Sequence, residues 1–249
     1  MNLAYERYAR QTLLPGFEKS AERFLSQRVG IVGVGGLGAL CAYLLAGAGV
    51  GELRLADGDV VSLSNLHRQV LYDSTMLGQS KAQCAKARIA ALDPHIKVIT
   101  MGAITQQQDF ATLVAGLDLL LLLTDTQASR VQLSAWALAA KIPTLIACVA
   151  GFNGLSAYFD YASADFVAKY GCYRCLCGHN PEPQVQGILG PTAAQMASAT
   201  ALSALQILNG TYPEALYGRV VVSNLQTQQT QRFKLKRDAY CEGCNQHAD

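Results

Sequence analysis

The run Arg28-Val29-Gly30-Ile31-Val32 leads directly into Gly33-Val34-Gly35-Gly36-Leu37-Gly38, and an apolar helical pattern follows. Glycines at 33, 35, 36 and 38 let the backbone turn sharply and approach a phosphate. The helix that follows offers free N–H groups and the positive end of its dipole. Asp57 comes roughly 20 residues later, at the end of a second strand, where a carboxylate reaches ribose hydroxyls. This pattern points to a bound nucleotide but leaves NAD and ATP both open.

Three further segments bear on that choice. Asp59-Val60-Val61-Ser62-Leu63-Ser64-Asn65-Leu66-His67-Arg68-Gln69 is too polar to be core. Gly78-Gln79-Ser80-Lys81 puts a lysine at the start of a helix, where a cation opposes the dipole and needs another reason to be there. Leu123-Thr124-Asp125 puts a carboxylate at the carboxyl end of a central strand, the edge where open α/β sheets bind ligands. Each charge taken singly also fits a solvated rim. Together, Arg68, Lys81 and Asp125 suit a triphosphate with Mg²⁺, whereas hydride transfer would leave them unemployed.

Cys172-x-x-Cys175 and Cys241-x-x-Cys244 are two pairs that can each bite one metal. Four thiolates with no open position describe a structural zinc, which would tie the C-terminal segment to the middle of the chain. The competing reading is a redox pair, but such pairs usually open a helix after a strand and do not come in twos. Cys41, Cys84 and Cys148 fall in apolar patterns and read as small core residues. His67, His95, His179 and His247 form no ligand or triad pattern and read as surface or loop residues. Trp136 reads as core.

The elements that must position these groups alternate. Strands are expected over 28–32, 52–56, 97–101, 118–124 and 143–149, and helices over 37–48, 81–92, 108–115 and 129–141. The strand 118–124 is apolar on both faces, as a central parallel strand must be. Later stretches, 155–161, 219–224 and 230–236, read as antiparallel strands around a long helix over 192–208, opened by Pro191 and closed by Asn209-Gly210. The fold class is therefore α/β: a Rossmann-like, doubly wound, mainly parallel sheet continued by antiparallel strands. A single domain over 1–249 is expected, with a nucleotide-binding half (1–153) and an antiparallel, substrate-facing half (154–249).

The chain has 249 residues, half of them apolar (51%) and 15% charged, enough to bury a sizeable core. A net charge of +2 gives no footprint for nucleic acid or an anionic membrane. The longest apolar run, Leu119 to Leu123 with its flanks, is far short of the roughly 20 residues of a transmembrane helix. Glu6, Arg7 and Arg10 precede any apolar stretch, so no secretory signal is read and a cytoplasmic location is expected. The eight cysteines are then expected as thiols, ligands or catalysts, not disulfides.

Five runs together resemble one family: Arg7-Tyr8-Ala9-Arg10-Gln11, Gly33 to Gly38, Leu63-Ser64-Asn65-Leu66-His67-Arg68-Gln69, Thr124-Asp125 and Gly171-Cys172-Tyr173-Arg174-Cys175-Leu176. They look like the ThiF/MoeB/HesA family, bacterial relatives of the ubiquitin-activating enzymes, in order along essentially the whole chain. Leu44 to Gly51, Leu55-Ala56-Asp57 and Asn180-Pro181-Glu182-Pro183 after the first cysteine pair resemble the thiamine-pathway members somewhat more than the MoeB type. The resemblance implies a nucleotidyltransferase. A ubiquitin-like sulfur carrier ending in Gly-Gly, ThiS-like or alternatively MoaD-like, would be adenylated at its terminal carboxylate with release of pyrophosphate. By match, Arg68 and Lys81 hold the ATP phosphates, Asn65 helps position them, Asp57 binds ribose and Asp125 holds Mg²⁺. Arg10 matches an arginine that reaches into the partner subunit's site, which implies a homodimer.

The chain departs from the family at a few points. The loop Gln184-Val185-Gln186-Gly187 before the long helix looks short and holds no cysteine, where ThiF-like members carry one that links covalently to the activated carrier. The expectation is that the reaction stops at the adenylate, with Cys177 as the alternative nucleophile. Thr126 stands where Asn is common, which would loosen nucleotide positioning, and His67 stands where Gln is usual. Two readings from other classes compete: an NAD-dependent oxidoreductase, allowed by the glycine loop and Asp57, and a non-catalytic scaffold that only binds the carrier.

Overall fold

The computed structural model describes residues 3–178 and 187–245, with the backbone alone for 3–5 and 245. His179, His247, Asn180 to Pro183 and Gln184 to Gln186, discussed above, lie outside the described residues. In chain order the elements are α1 (Leu3–Tyr8), α2 (Ser20–Leu25), β1 (Arg28–Val32), α3 (Gly38–Gly47), β2 (Glu52–Ala56), α4 (Lys81–Leu92), β3 (Lys97–Met101), α5 (Gln107–Val114) and β4 (Leu119–Leu122). They continue with α6 (Gln127–Ala139), β5 (Thr144–Ala150), β6 (Asn153–Phe159), α7 (Ala164–Tyr170), α8 (Tyr173–Cys177), α9 (Gly190–Asn209), β7 (Arg219–Asn224), β8 (Gln229–Lys234) and α10 (Glu242–Asn245).

One eight-stranded sheet in the order β3-β2-β1-β4-β5-β6-β7-β8 runs through both halves of the chain. Strands β1 to β5 pair in parallel, and β6, β7 and β8 continue the sheet antiparallel. Strand order reverses at β1, which lies between β2 and β4, so a crevice opens beyond the carboxyl ends of β1 and β4. The two central strands are apolar on both faces because helices cover both. Leu119 to Leu122 are fully buried, as are Val29 and Ile31.

On one face, α3, α4 and α9 complete a core around Leu45, Leu53, Leu55 and Leu121. On the other, α5, α6, α7 and α8 enclose Phe110, Leu120, Phe159 and Phe166. Helix α3 is apolar all round (Ala39, Cys41, Ala42, Leu45 and Ala46 are buried) because it is enclosed on more than one side. A Cβ at Gly38 would overlap the Gly33 carbonyl oxygen, so this glycine serves the close packing of helix on loop. Among the described residues no helix is long and apolar enough to cross a membrane.

Two expectations about the second half are corrected. The strand read over 155–161 is β6, Asn153–Phe159. Tyr161 belongs to the turn that follows, and its burial, with its hydroxyl 2.6 Å from Ser134 Oγ, explains its strand-like apolar signal. The strand read over 230–236 ends at Lys234. Helices α7 and α8 carry no amphipathic signal long enough to read. Ser163 caps α7 by accepting from the Phe166 N–H.

Candidate nucleotide site and cysteine cluster

A cavity of about 450 Å³ lies at the crevice where strand order reverses. Gly33, Gly35, Gly36, Asp57, Asn65, Arg68, Lys81 and Asp125 all line it. Of the sequence-derived residues, Gly38 and Arg10 do not. Gly38 packs behind the loop, and Arg10 lies exposed beyond the end of α1, away from the cavity of its own chain.

The glycine loop turns at Gly33, whose φ of +91° is open to glycine, and a Cβ there would meet the Leu123 carbonyl at 2.7 Å. The close approach of β1 to β4 at the crevice depends on that missing side chain. Asp57 closes the loop from the side. Its Oδ2 accepts from the Val34 N–H at 2.6 Å and its Oδ1 from the Asp59 N–H at 2.8 Å, which fixes the carboxylate at the cavity edge.

The segment after Asp57 folds against the start of α4. Val61 N–H donates to the Gln79 carbonyl, and Lys81 N–H donates to that of Asp59 at 3.1 Å. This pairing carries Lys81 into the cavity wall with its Nζ 2.8 Å from Asp59 Oδ2. The lysine at a helix start is thus explained by a carboxylate beside it and a cavity before it. Tyr72 ties the same parts together from within the core: its hydroxyl reaches the carbonyls of Val34 (2.7 Å) and Lys81 (3.2 Å). Burial pushes its phenol well above the ordinary range, so it stays a donor.

A 3-10 turn at Leu63–Asn65 sets the remaining wall. Arg68 and Gln69 both donate their N–H groups to the Asn65 carbonyl, at 3.0 and 2.9 Å, so residues 65, 68 and 69 share one face, and that face is the cavity's. The Arg68 guanidinium is steadied by the Ser64 carbonyl at 3.0 Å and His67 Nε2 at 2.8 Å. His67 is exposed in this turn, as a surface or loop residue should be, and the contact adds a positioning role. The first turn of α9 backs this wall: a Cβ at Gly190 would meet the His67 carbonyl oxygen at 2.5 Å.

Asp125 lies exposed beyond β4, in the turn to α6. Thr126 caps α6 by accepting from the Ser129 N–H at 3.2 Å. The buried Arg130 holds the turn from beneath, through the Thr124 carbonyl (2.5 Å) and the Tyr173 hydroxyl (2.9 Å). The Asp125 turn is therefore anchored in the core. That geometry gives Thr126 a helix-capping role.

Cys148, read as core, instead lines the cavity from β5 and is half-buried; Cys41 and Cys84 are buried as expected. Burial pushes the Cys148 thiol up, and Arg130 opposes the shift. Cys177 is not among the cavity-lining residues, and burial pushes its thiol up as well. Trp136 is half-buried against Phe110, with ring centroids 5.6 Å apart.

The four cysteines of the two pairs converge. Their sulfurs lie within 4.8 Å of one another, with Cys172 to Cys241 at 3.7 Å, Cys175 to Cys244 at 3.5 Å and Cys172 to Cys175 at 4.0 Å. A tetrahedron of bonds of ~2.3 Å has edges of ~3.8 Å, so the cluster can hold one metal ion.

Sheet order, glycine loop and a carboxylate- and cation-lined crevice define a nucleotide-binding α/β protein of the doubly wound class. Comparison with known proteins narrows this. The ThiF family model matches residues 8–243, and the chain belongs to that family. It is similar to the molybdopterin-synthase adenylyltransferase of Escherichia coli, 37% identical over 96% of each chain. It is also similar to the sulfur carrier protein ThiS adenylyltransferase of E. coli, 33% identical over 96% of this chain and 95% of that one. These relatives are nucleotidyltransferases by name. Among solved structures, E. coli MccB with MccA-N7isoASN aligns with a TM-score of 0.80 at 18% identity, covering 96% of this chain and 74% of that one, a likeness of fold.

Proposed function

We propose that the chain catalyses ATP-dependent adenylation of the C-terminal glycine carboxylate of a ubiquitin-like sulfur carrier protein. One observation carries the reading: Asn65, Arg68, Lys81, Asp57 and Asp125 meet the glycine loop in one cavity, in a chain of the ThiF family. A carboxylate oxygen of the carrier attacks the α-phosphorus of ATP, the bond from that phosphorus to the β-bridging oxygen breaks, and pyrophosphate leaves. An anion attacks a polyanion here, so the enzyme's first task is to neutralise charge with preorganised cations.

Lys81 suits that task because its burial limits screening by salt. Arg68, steadied by Ser64 and His67, faces the phosphates beside the glycine loop, with Asn65 on the same turn. Asp57 takes the ribose. Asp125 offers a hard oxygen donor at the crevice, and Mg²⁺ is commonly held by one or two carboxylates plus substrate phosphates. When bound, Mg²⁺ would spread the charge of the departing pyrophosphate.

The finer assignments belong to the same reading. Zinc fits the four-sulfur cluster as a structural ion that fastens the segment around Cys241 and Cys244 to α8. The working unit is a homodimer in which Arg10 reaches the partner's cavity, and the whole chain acts as one domain in the cytoplasm. The reaction stops at the adenylate, since Cys177 is not among the described residues that line the cavity. For the carrier, local motifs lean to the ThiS type, while identity is higher to the molybdopterin-synthase relative (37% against 33%).

Carrier-dependent exchange of labelled pyrophosphate into ATP tests the reaction, run with a ThiS-type and a MoaD-type carrier in parallel. Exchange with one of them supports the chemistry and assigns the pathway. Nucleotide binding without exchange for any Gly-Gly carrier would favour the scaffold.

A further inference from the structure

Gln69 is 4% exposed, yet it lines the nucleotide cavity. Among the described residues its side-chain Oε1 has no hydrogen-bond partner. A buried amide oxygen without a donor is costly and uncommon, and at a ligand site it marks the place of a donor the ligand brings. The residue cannot swing away freely, because its backbone is held on both sides. Its N–H donates to the Asn65 carbonyl at 2.9 Å and its carbonyl accepts from the Tyr72 N–H at 3.0 Å.

The side chain's position narrows the identity of that donor. Gln69 Nε2 lies 3.5 Å from where a Cβ of Gly35 would stand, so the carboxamide sits against the phosphate loop and next to Arg68. Phosphate oxygens only accept, so they can pair with the Nε2 hydrogens and never with Oε1. Of the neighbouring cations, Arg68 Nη1 already donates to Ser64 and pairs with His67, and Lys81 Nζ donates to Asp59. The reacting end of the second substrate can bring such a donor to the same place. A Gly-Gly tail has no side chains, so its only donors at the reacting end are main-chain N–H groups. The nitrogen of the last one is two bonds from the carbon of the attacking carboxylate and arrives wherever that carbon does.

Resting on the adenylation reading above, we infer that Gln69 Oε1 accepts the main-chain N–H of the carrier's terminal glycine while Nε2 donates to a phosphate oxygen. One planar carboxamide then holds both reactants, which aligns the carboxylate with the α-phosphorus. Gln69 is a substrate-positioning residue and exchanges no proton.

The test removes each end of this hydrogen bond in turn. A carrier is prepared by semisynthesis with glycolic acid in place of its terminal glycine, which turns the last N–H into an ester oxygen and keeps the carboxylate. Pyrophosphate release is measured with wild type, Gln69→Met and Gln69→Glu. The ester carrier with wild type, and the normal carrier with Gln69→Met, should each lose about tenfold in kcat/KM, and the two changes together should lose no more than the larger single loss. Gln69→Glu keeps an acceptor, so it should stay sensitive to the ester, and it should raise the KM for ATP by repelling phosphate.

Losses that multiply to about a hundredfold would show that the two groups do not meet and would overturn the inference. A Gln69→Met defect confined to the Mg²⁺ or ATP requirement, with full ester sensitivity retained, would also overturn it. No pyrophosphate from wild type with any normal carrier would instead bring down the adenylation reading itself.

Discussion

The Lys81 ammonium, 5% exposed, lies 2.8 Å from a carboxylate oxygen of Asp59, whose side chain is 74% exposed. The cation is fixed in the cavity wall, while its counter-ion reaches in from the solvent side. A polyphosphate entering the cavity can take the place of Asp59 without moving the lysine. Lys81→Met, which keeps the apolar stem, should lower pyrophosphate release by about 10²-fold, as loss of a preorganised charge does. Asp59→Asn should change stability by less than about 1 kcal/mol, because the Asp59 carboxylate is itself largely solvated. Steady-state kinetics and urea melts of both variants check this pair.

Asp125 is exposed in a turn held from below by Arg130 and capped by Thr126. Asp125→Ala should therefore leave the melting temperature near that of wild type while adenylation falls by about 10²-fold or more. Activity close to wild type at saturating Mg²⁺ would remove Asp125 from the metal role.

Arg10 lies outside its own chain's cavity, so the trans assignment makes a mixing prediction. Arg10→Ala and Lys81→Ala should each be inactive alone. Mixed in equal amounts with subunit exchange confirmed, they should recover about a quarter of wild-type activity, since half the dimers are hybrids carrying one intact site. No recovery would count against an arginine shared across subunits.

Gly38→Ala probes the loop without touching a ligand. Its Cβ would collide with the Gly33 carbonyl, so an overpacking cost of about 1–3 kcal/mol is expected in a urea melt. A silent substitution would mean that the loop can shift to make room.

The cysteine cluster predicts one zinc per chain by elemental analysis. Cys241→Ser or strong chelation should lower the melting temperature more than it lowers turnover in the protein that stays folded. Full stability without metal would refute a structural ion.

Much of this was legible in the residues because the signals were local. The glycine loop, the strand-ending Asp57 and the buried run Leu119 to Leu122 each report their structure through a few adjacent positions. The spacing of the two cysteine pairs foretold a cluster that the fold closes. What could not be read depended on distant partners. Cys148 lies in an apolar strand pattern, and only the opening of the sheet beyond β5 shows that it faces the cavity. Gln69 looked like part of a solvated polar segment, although its i, i+3, i+4 relation to Asn65 and Arg68 was a usable signal. Tyr161 imitated a strand residue because core burial and strand burial leave the same mark in a sequence. The short helices α7 and α8 rest on packing and a serine cap, which periodicity does not register.

The most direct test of the central claim is pyrophosphate release from ATP with Gly-Gly-terminated sulfur carriers, each beside a version lacking its last two residues. Adenylation predicts release with an intact cognate carrier and none with its truncated form. ATP binding without release for any intact carrier, or equal release with the truncated one, would contradict it.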